Sequence, residues 1–257
     1  MFKLYLRVVI TFLKEKVRWL IHPAIYKESV SKFEERKQFY TTFLKSGDVV
    51  FDVGANLGNR IEVFLALNTK VVAFEPQMYC YLFLRLKYIK KITLLNMAMG
   101  SKKDKLLMYI NPESSTISSL STDWINRVKQ NRFKGHNWDK TQEVDVNTLD
   151  AMIQVYGVPD FIKIDVEGFE VEVLKGLSAP VNYICFEYTI PEQTENVFKC
   201  LELIHALSGS YTYNFSLEET NSFVFEKWKS YDELVNILKN DIGLFQAFGD
   251  IYARLKN

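Results

Sequence analysis

The run Val49-Val50-Phe51-Asp52-Val53-Gly54-Ala55-Asn56-Leu57-Gly58 constrains the fold more than any other part of the chain. A stretch of β-branched and aromatic residues breaks into a turn whose glycines admit backbone conformations closed to other residues. An acid, Asp52, stands just before the first glycine. A second apolar run, Val71-Val72-Ala73-Phe74, ends in Glu75, 21 positions after Gly54. Helical patterns over 59–67 and 77–90 follow the two strands. Strand, helix, strand, helix predicts an α/β domain built on a parallel sheet with helices on both faces.

The same alternation resumes further on. Strands are predicted at 92–97, 161–165 and 183–188, and helices at 148–156, 169–175 and 192–207. Two β-rich runs, 211–215 and 222–225, flank the polar Glu218-Glu219-Thr220-Asn221 and read as a C-terminal antiparallel hairpin. Between them and the first half lies a segment, 99–143, with short apolar pieces and the serine-rich Ser114-Ser115-Thr116-Ile117-Ser118-Ser119. It is too long for a structureless loop in a compact domain, so it reads as an insertion with hairpin content that contacts a substrate. At 257 residues the chain accommodates one such domain, over 47–257, preceded by a helical extension over 1–46.

Composition narrows the function classes. With 48% hydrophobic and 25% charged residues the chain is of globular type. A net charge of +1 provides no global field for gathering polyanions, which argues against a nucleic-acid partner. The three cysteines, Cys80, Cys185 and Cys200, show no CxxC spacing, and Cys185 sits in an apolar run. That pattern excludes a disulfide framework or zinc site and fits a cytoplasmic protein.

The first 21 residues are apolar and basic, but Arg7 interrupts them and no small-residue cleavage pattern follows. No uncharged run reaches the roughly 20 residues of a membrane span. On a helix, Leu6, Val9, Ile10, Leu13, Val17 and Leu20 share one face, while Arg7, Thr11, Lys14 and Arg18 line another. Such a helix is either a cap packed on the domain or a dimer contact, or else a peripheral anchor on the inner face of a membrane near a lipid-linked substrate. A second helix is predicted over 31–44.

Ligands of open α/β sheets settle beyond the carboxyl ends of the strands, where Asp52, Gly54 and Glu75 converge. Glu75 is placed to accept hydrogen bonds from a ribose diol. A dinucleotide fingerprint needs glycine where Asn56 and Asn59 stand, and an acid at Asp52 repels a diphosphate but attracts the cationic groups of S-adenosylmethionine. Charge therefore favours the methyl donor. The alternatives are an NAD-dependent oxidoreductase and a non-catalytic cofactor-binding scaffold at a membrane surface.

Asp52-Val53-Gly54-Ala55-Asn56-Leu57-Gly58, Phe74-Glu75-Pro76, Asn96 to Gly100, Thr148-Leu149-Asp150, Phe161 to Glu170 with Leu174-Lys175-Gly176, and Phe186-Glu187 together resemble the FkbM family of S-adenosylmethionine-dependent methyltransferases. The resemblance implies a class I methyltransferase fold, Rossmann-like, with a seven-stranded, mostly parallel sheet. It implies O-methylation of a hydroxyl on a sugar, glycan or glycolipid precursor. It also places Gly54, Asn56 and Gly58 at the methionine end of the cofactor and Glu75 at its ribose; Asp52, chosen on charge, and Asn96 complete the expected cofactor-binding set.

A hydroxyl acceptor must lose its proton, which calls for a general base or a metal. Asp165 and Glu167 close the fourth strand and Glu187 the fifth, so all three carboxylates are expected on the rim that carries Gly54. Asp165 is the foremost catalytic candidate. Three carboxylates have the oxygen ligands for Mg2+, but the expected site holds no metal. Lys163 is placed to neutralise the acids, His136 is a second candidate base, and Ser118 and Ser119 match a serine pair of the family.

Overall fold

A computed structural model describes residues 2–245 and 247–256; the side chains of residues 2, 15, 16 and 18–20, including Arg18 and Leu20 of the two expected helix faces, lie outside the described set. Helices α1 (Phe2–Ile21) and α2 (Pro23–Tyr40) lead into β1 (Val49–Val53), α3 (Ile61–Ala66), β2 (Lys70–Phe74), α4 (Met78–Lys87) and β3 (Thr93–Leu95). Next come β4 (Ala98–Met99), β5 (Asp104–Ile110), α5 (Thr122–Val128) and β6 (Lys140–Asn147). The chain continues through α6 (Leu149–Tyr156), β7 (Phe161–Ile164), α7 (Glu170–Lys175), β8 (Tyr183–Thr189) and α8 (Thr194–Leu207). It closes with β9 (Tyr211–Leu217), α9 (Tyr231–Asn240) and β10 (Phe248–Leu255).

Seven strands form the main sheet in the order β3-β2-β1-β7-β8-β10-β9. The strands from β3 to β8 run parallel, and β10 lies antiparallel to both of its neighbours. This is the class I methyltransferase arrangement, with one correction to the terminal pair. Residues 222–225 form no strand: Val224 donates one backbone hydrogen bond to Phe215, and the aromatic rings are spent on packing. Phe223 lies 5.2 Å from Tyr252, and Phe225 lies 5.3 Å from Phe215. The partner of β9 is β10, whose Gly249 and Asp250 interrupt the apolar pattern by which a strand is recognised.

The insertion builds a sheet of its own, ordered β4-β6-β5. Its last strand runs to Asn147, so the inserted unit extends beyond residue 143. Arg132, on the loop after α5, donates to the carbonyls of Ile190 and Ala247 and pairs with Glu192 at 3.0 Å. These contacts hold the insertion over the carboxyl ends of the strands.

Strand register sorts the central side chains. Phe51, Val53, Ile162 and Ile164 enter one apolar core, and Val50 and Phe161 enter the other. Phe39, Tyr40 and Leu44 share that second core, so the extension over 1–46 is continuous in packing with the domain at its C-terminal end. Burying rings of this size contributes about 1.5–3 kcal/mol each. Asp52 pairs with Lys163 across β1 and β7, Lys163 with Cys185, and Glu187 with Asp250. Because opposite residues, and residues two apart on one strand, share a face, Asp52, Lys163, Glu187 and Asp250 all project from the same side of the sheet.

Candidate active site

A cavity of about 220 Å³ lies at the carboxyl ends of β1, β2, β7 and β8, roofed by the insertion. Its floor is the turn after β1. Gly54 has φ of +85°, and a Cβ there would collide with the carbonyl of Asp165. That glycine is thus required by the closeness of the neighbouring strand end, whose Asp165 amide donates to the Val53 carbonyl at 2.9 Å. Gly58 does not line the cavity. A Cβ there would press on Tyr88 and Leu84, so its role is to let the turn pack against α4 rather than to admit a ligand.

Glu75 is buried at the end of β2, and its carboxylate accepts from the backbone amides of Asn56 and Gln77, each at 2.7 Å. One acid thereby fixes both the glycine turn and the start of α4. Each oxygen keeps a second lone pair, and the residue lines the cavity. Burial pushes its pKa up to about 7 against the pull of the two amides. Asn56 stands in the left-handed region at φ +47°, and its side-chain oxygen accepts from Ser115 of the insertion at 3.1 Å. Asn96, placed by sequence in the cofactor set, lies outside the cavity lining; its amide donates to the carbonyls of Glu75 and Pro76 and braces the turn from behind.

Asp52 lines the cavity and is 3% exposed. Its Oδ2 has no hydrogen-bond partner among the described residues. Burial pushes its pKa up to about 7; Lys163 opposes that shift and Asp165 adds to it. A buried carboxyl oxygen without a donor calls for a proton or a cation, and the ammonium or sulfonium of S-adenosylmethionine supplies the cation where a diphosphate does not. Together with the ribose-ready Glu75, the lining fits that donor.

At the other end of the cavity Asp165, Glu167 and Glu187 each offer a carboxylate oxygen, all within 4.8 Å of one another. The structure brings these three together, as the sequence anticipated. Glu167 has φ of +52°, and its loop is held by three devices. Ser119 donates to the Glu167 carbonyl at 2.6 Å, and the buried Glu170 carboxylate accepts from the amides of Val166 and Gly168. Burial, then the neighbouring Asp165, holds the carboxyls of Glu167 and Glu187 well above the ordinary glutamate range. Like charges this close disfavour one another's ionisation.

Lys163 supplies the counter-charge. Its buried Nζ contacts Asp250 at 2.8 Å and Asp165 at 3.4 Å. Burial alone would depress the ammonium, but Asp165 and Asp250 outweigh it and hold its pKa well above the usual lysine value. The three clustered carboxylates also have the donor chemistry of a hard divalent cation. His136 is not part of this centre: it lies in the insertion among Phe133 and Trp138, 3.5 Å from Glu113. Of the serine pair, Ser118 lines the cavity and Ser119 holds the Glu167 loop.

Several site residues were not anticipated. Asp250 comes from the unrecognised β10, although an unpartnered lysine in a central strand signals that an acid must meet it. Arg36 reaches the cavity from α2, donating to the Asn59 carbonyl and pairing with Glu219 at 3.1 Å. Nothing in the local pattern marks that contact, because it joins segments far apart in the chain.

The model of the methyltransferase FkbM domain matches residues 52–239, leaving α1, α2 and β10 outside. Comparison with curated proteins yields no match. Among solved structures, the chain resembles an O-methyltransferase from Bacillus cereus (12% identity, TM-score 0.44, 87% of this chain and 80% of that one). It also resembles a precorrin-6y C5,15-methyltransferase from Geobacter metallireducens (11% identity, TM-score 0.43, 85% and 87%). A third is the plantazolicin methyltransferase BpumL (10% identity, TM-score 0.41, 99% and 98%). With about three quarters of its length matched by the family and the donor site formed by that same segment, the chain belongs to the FkbM family and is an S-adenosylmethionine-dependent methyltransferase.

Proposed function

We propose that the chain methylates a hydroxyl oxygen on a sugar, glycan or glycolipid precursor, with Asp165 as the general base. The observation that carries this reading is the carboxylate cluster at the end of the cavity opposite Glu75, balanced by the buried Lys163. When bound, the donor supplies an electrophilic methyl on a sulfonium. Asp52 and Glu75 hold its cationic end and its ribose hydroxyls. Asp165 would take the acceptor proton beside Glu167 and Glu187, whose raised pKa values keep the neighbouring negative charge low. General-base assistance of this kind contributes roughly 10²–10⁴-fold, and fixing the acceptor against the donor supplies the remainder.

The polyhydroxyl acceptor is favoured by the lining that the insertion and the neighbouring loops add: Asn59, Ser115, Thr116, Ser118 and the Arg36–Glu219 pair. These groups offer hydrogen-bond donors and acceptors suited to sugar hydroxyls. The test is incubation with S-adenosylmethionine and a panel of sugar nucleotides, oligosaccharides and lipid-linked sugars, followed by mass spectrometry and bond-position analysis. A single added CH2 unit on a sugar oxygen is the expected product. Methylation at nitrogen or carbon would overturn the reading, and transfer to none of the acceptors would favour a non-catalytic scaffold.

A further inference from the structure

Helix α1 docks on the domain by a side other than its apolar stripe. Val8 is buried, Phe12 meets the Phe83 ring edge-on at 6.2 Å, Tyr79 donates to the Thr11 hydroxyl at 2.9 Å, and Arg7 lies over the Tyr79 ring. This leaves Leu6, Ile10, Leu13, Val17 and Ile21 between 43% and 64% exposed. Their spacing of four, three, four and four residues makes one stripe along the whole helix.

Charge singles out what covers that stripe. The helix contains Lys3, Arg7, Lys14, Lys16 and Arg18 against the single acid Glu15, although the whole chain carries only +1. Lys3 and Lys14 are exposed beside the stripe. We propose that this face of α1 lies on an anionic lipid surface, the stripe in the acyl boundary and the cations among the headgroups. A second copy of the chain is a poorer occupant, because pairing two such faces would oppose two sets of cations. No described helix is long and apolar enough to cross a membrane, so the helix lies in the surface plane. A groove lined by Thr11, Lys14, Lys32 and Phe33 runs inward from α1 and shares Arg36, Leu57 and Asn59 with the reaction cavity. The lipid-facing helix and the site are therefore joined along one side of the molecule.

Flotation of the full chain with vesicles tests this. Binding is expected to phosphatidylcholine vesicles containing phosphatidylglycerol and not to phosphatidylcholine alone, and it weakens as salt rises. Leu13→Glu abolishes it. The double variant Lys3→Ala/Lys14→Ala lowers partitioning about 30-fold, the effect of removing two cations near an anionic surface. Titration with S-adenosylhomocysteine stays unchanged in all variants, which shows that they fold and separates this result from the methyl-transfer reading. The proposal is overturned by absence of binding at low salt or by binding that survives Leu13→Glu. It is equally overturned by a wild-type dimer in sedimentation that Leu13→Glu splits, since the face then belongs to a second copy.

Discussion

The two ends of the reaction cavity are built in opposite ways. At the donor end, Asp52, Gly54, Asn56 and Glu75 come from two adjacent strands and the turn between them, and Glu75 is locked by amides from the same short stretch. At the proton-transfer end, Asp165, Glu167 and Glu187 come from two strands but depend on Lys163, Asp250, Ser119 and Glu170 for position and charge. The donor end is the more local of the two, its acids and turn lying between residues 52 and 77. The other end is an assembly, and its properties are set by residues distant in sequence. Function is thus divided between a portable cofactor grip and a site particular to this fold.

That division is open to attack, most severely at Asp165. Asp165→Asn is expected to reduce kcat by about 10²–10⁴-fold while donor affinity, read by calorimetric titration with S-adenosylhomocysteine, stays nearly constant. A collapse of donor affinity together with kcat would show the two ends to be one unit. Glu75→Gln should do the reverse. It removes a charged acceptor of the ribose hydroxyls, costing about 1.5–3 kcal/mol, or roughly 10–150-fold in donor affinity, with kcat at saturating donor preserved.

A smaller effect follows from proton linkage. Asp52, Glu75 and Glu170 all have carboxyl pKa values pushed up to about 7, chiefly by burial. A raised carboxyl binds its proton more tightly folded than unfolded, so its contribution to stability is full below about pH 4 and lost as pH climbs through about 7. The melting temperature without donor is therefore expected to fall between about pH 4 and pH 7 through these groups and to level off above. Because a cation favours ionised Asp52, the gain in melting temperature on adding S-adenosylmethionine should grow over the same interval. Asp52→Asn should flatten that growth, and a gain independent of pH in the wild type would remove Asp52 from donor binding. The smallest expected effect is that of chelation. Treatment with EDTA should leave the methyl-transfer rate unchanged, whereas a loss restored by Mg2+ would turn Asp165, Glu167 and Glu187 into cation ligands.

The same contrast governs what could be read from the amino acids. The parallel half of the sheet was legible because Val49 to Val53, Val71 to Phe74 and Phe161 to Ile164 are apolar apart from Asp52 and Lys163, as strands buried on both faces must be. Glu75 and Asp165 were legible because each directly follows such a run, and Asp52 because it stands just before the glycine turn. The terminal strand was misplaced because Phe223 to Phe225 has strand-like composition but serves as aromatic packing, while Gly249 and Asp250 disguise a true strand. Gly58 and Asn96 sit at positions expected of ligand contacts yet work as spacer and brace, a distinction that only distances to Tyr88 and to the Glu75 carbonyl reveal. Arg36 was illegible for a different reason: its partner Glu219 lies 183 residues away, and no periodicity spans that interval.

Strand β10 enters between β8 and β9, and it carries the aspartate nearest the Lys163 ammonium. During synthesis every other strand of the main sheet leaves the ribosome before it. Until it arrives, two strand edges are open and a lysine in the sheet interior lacks its closest counter-ion. Closure of the sheet and neutralisation of the buried ammonium thus rest on the same strand, so whatever perturbs β10 perturbs the reaction centre with it.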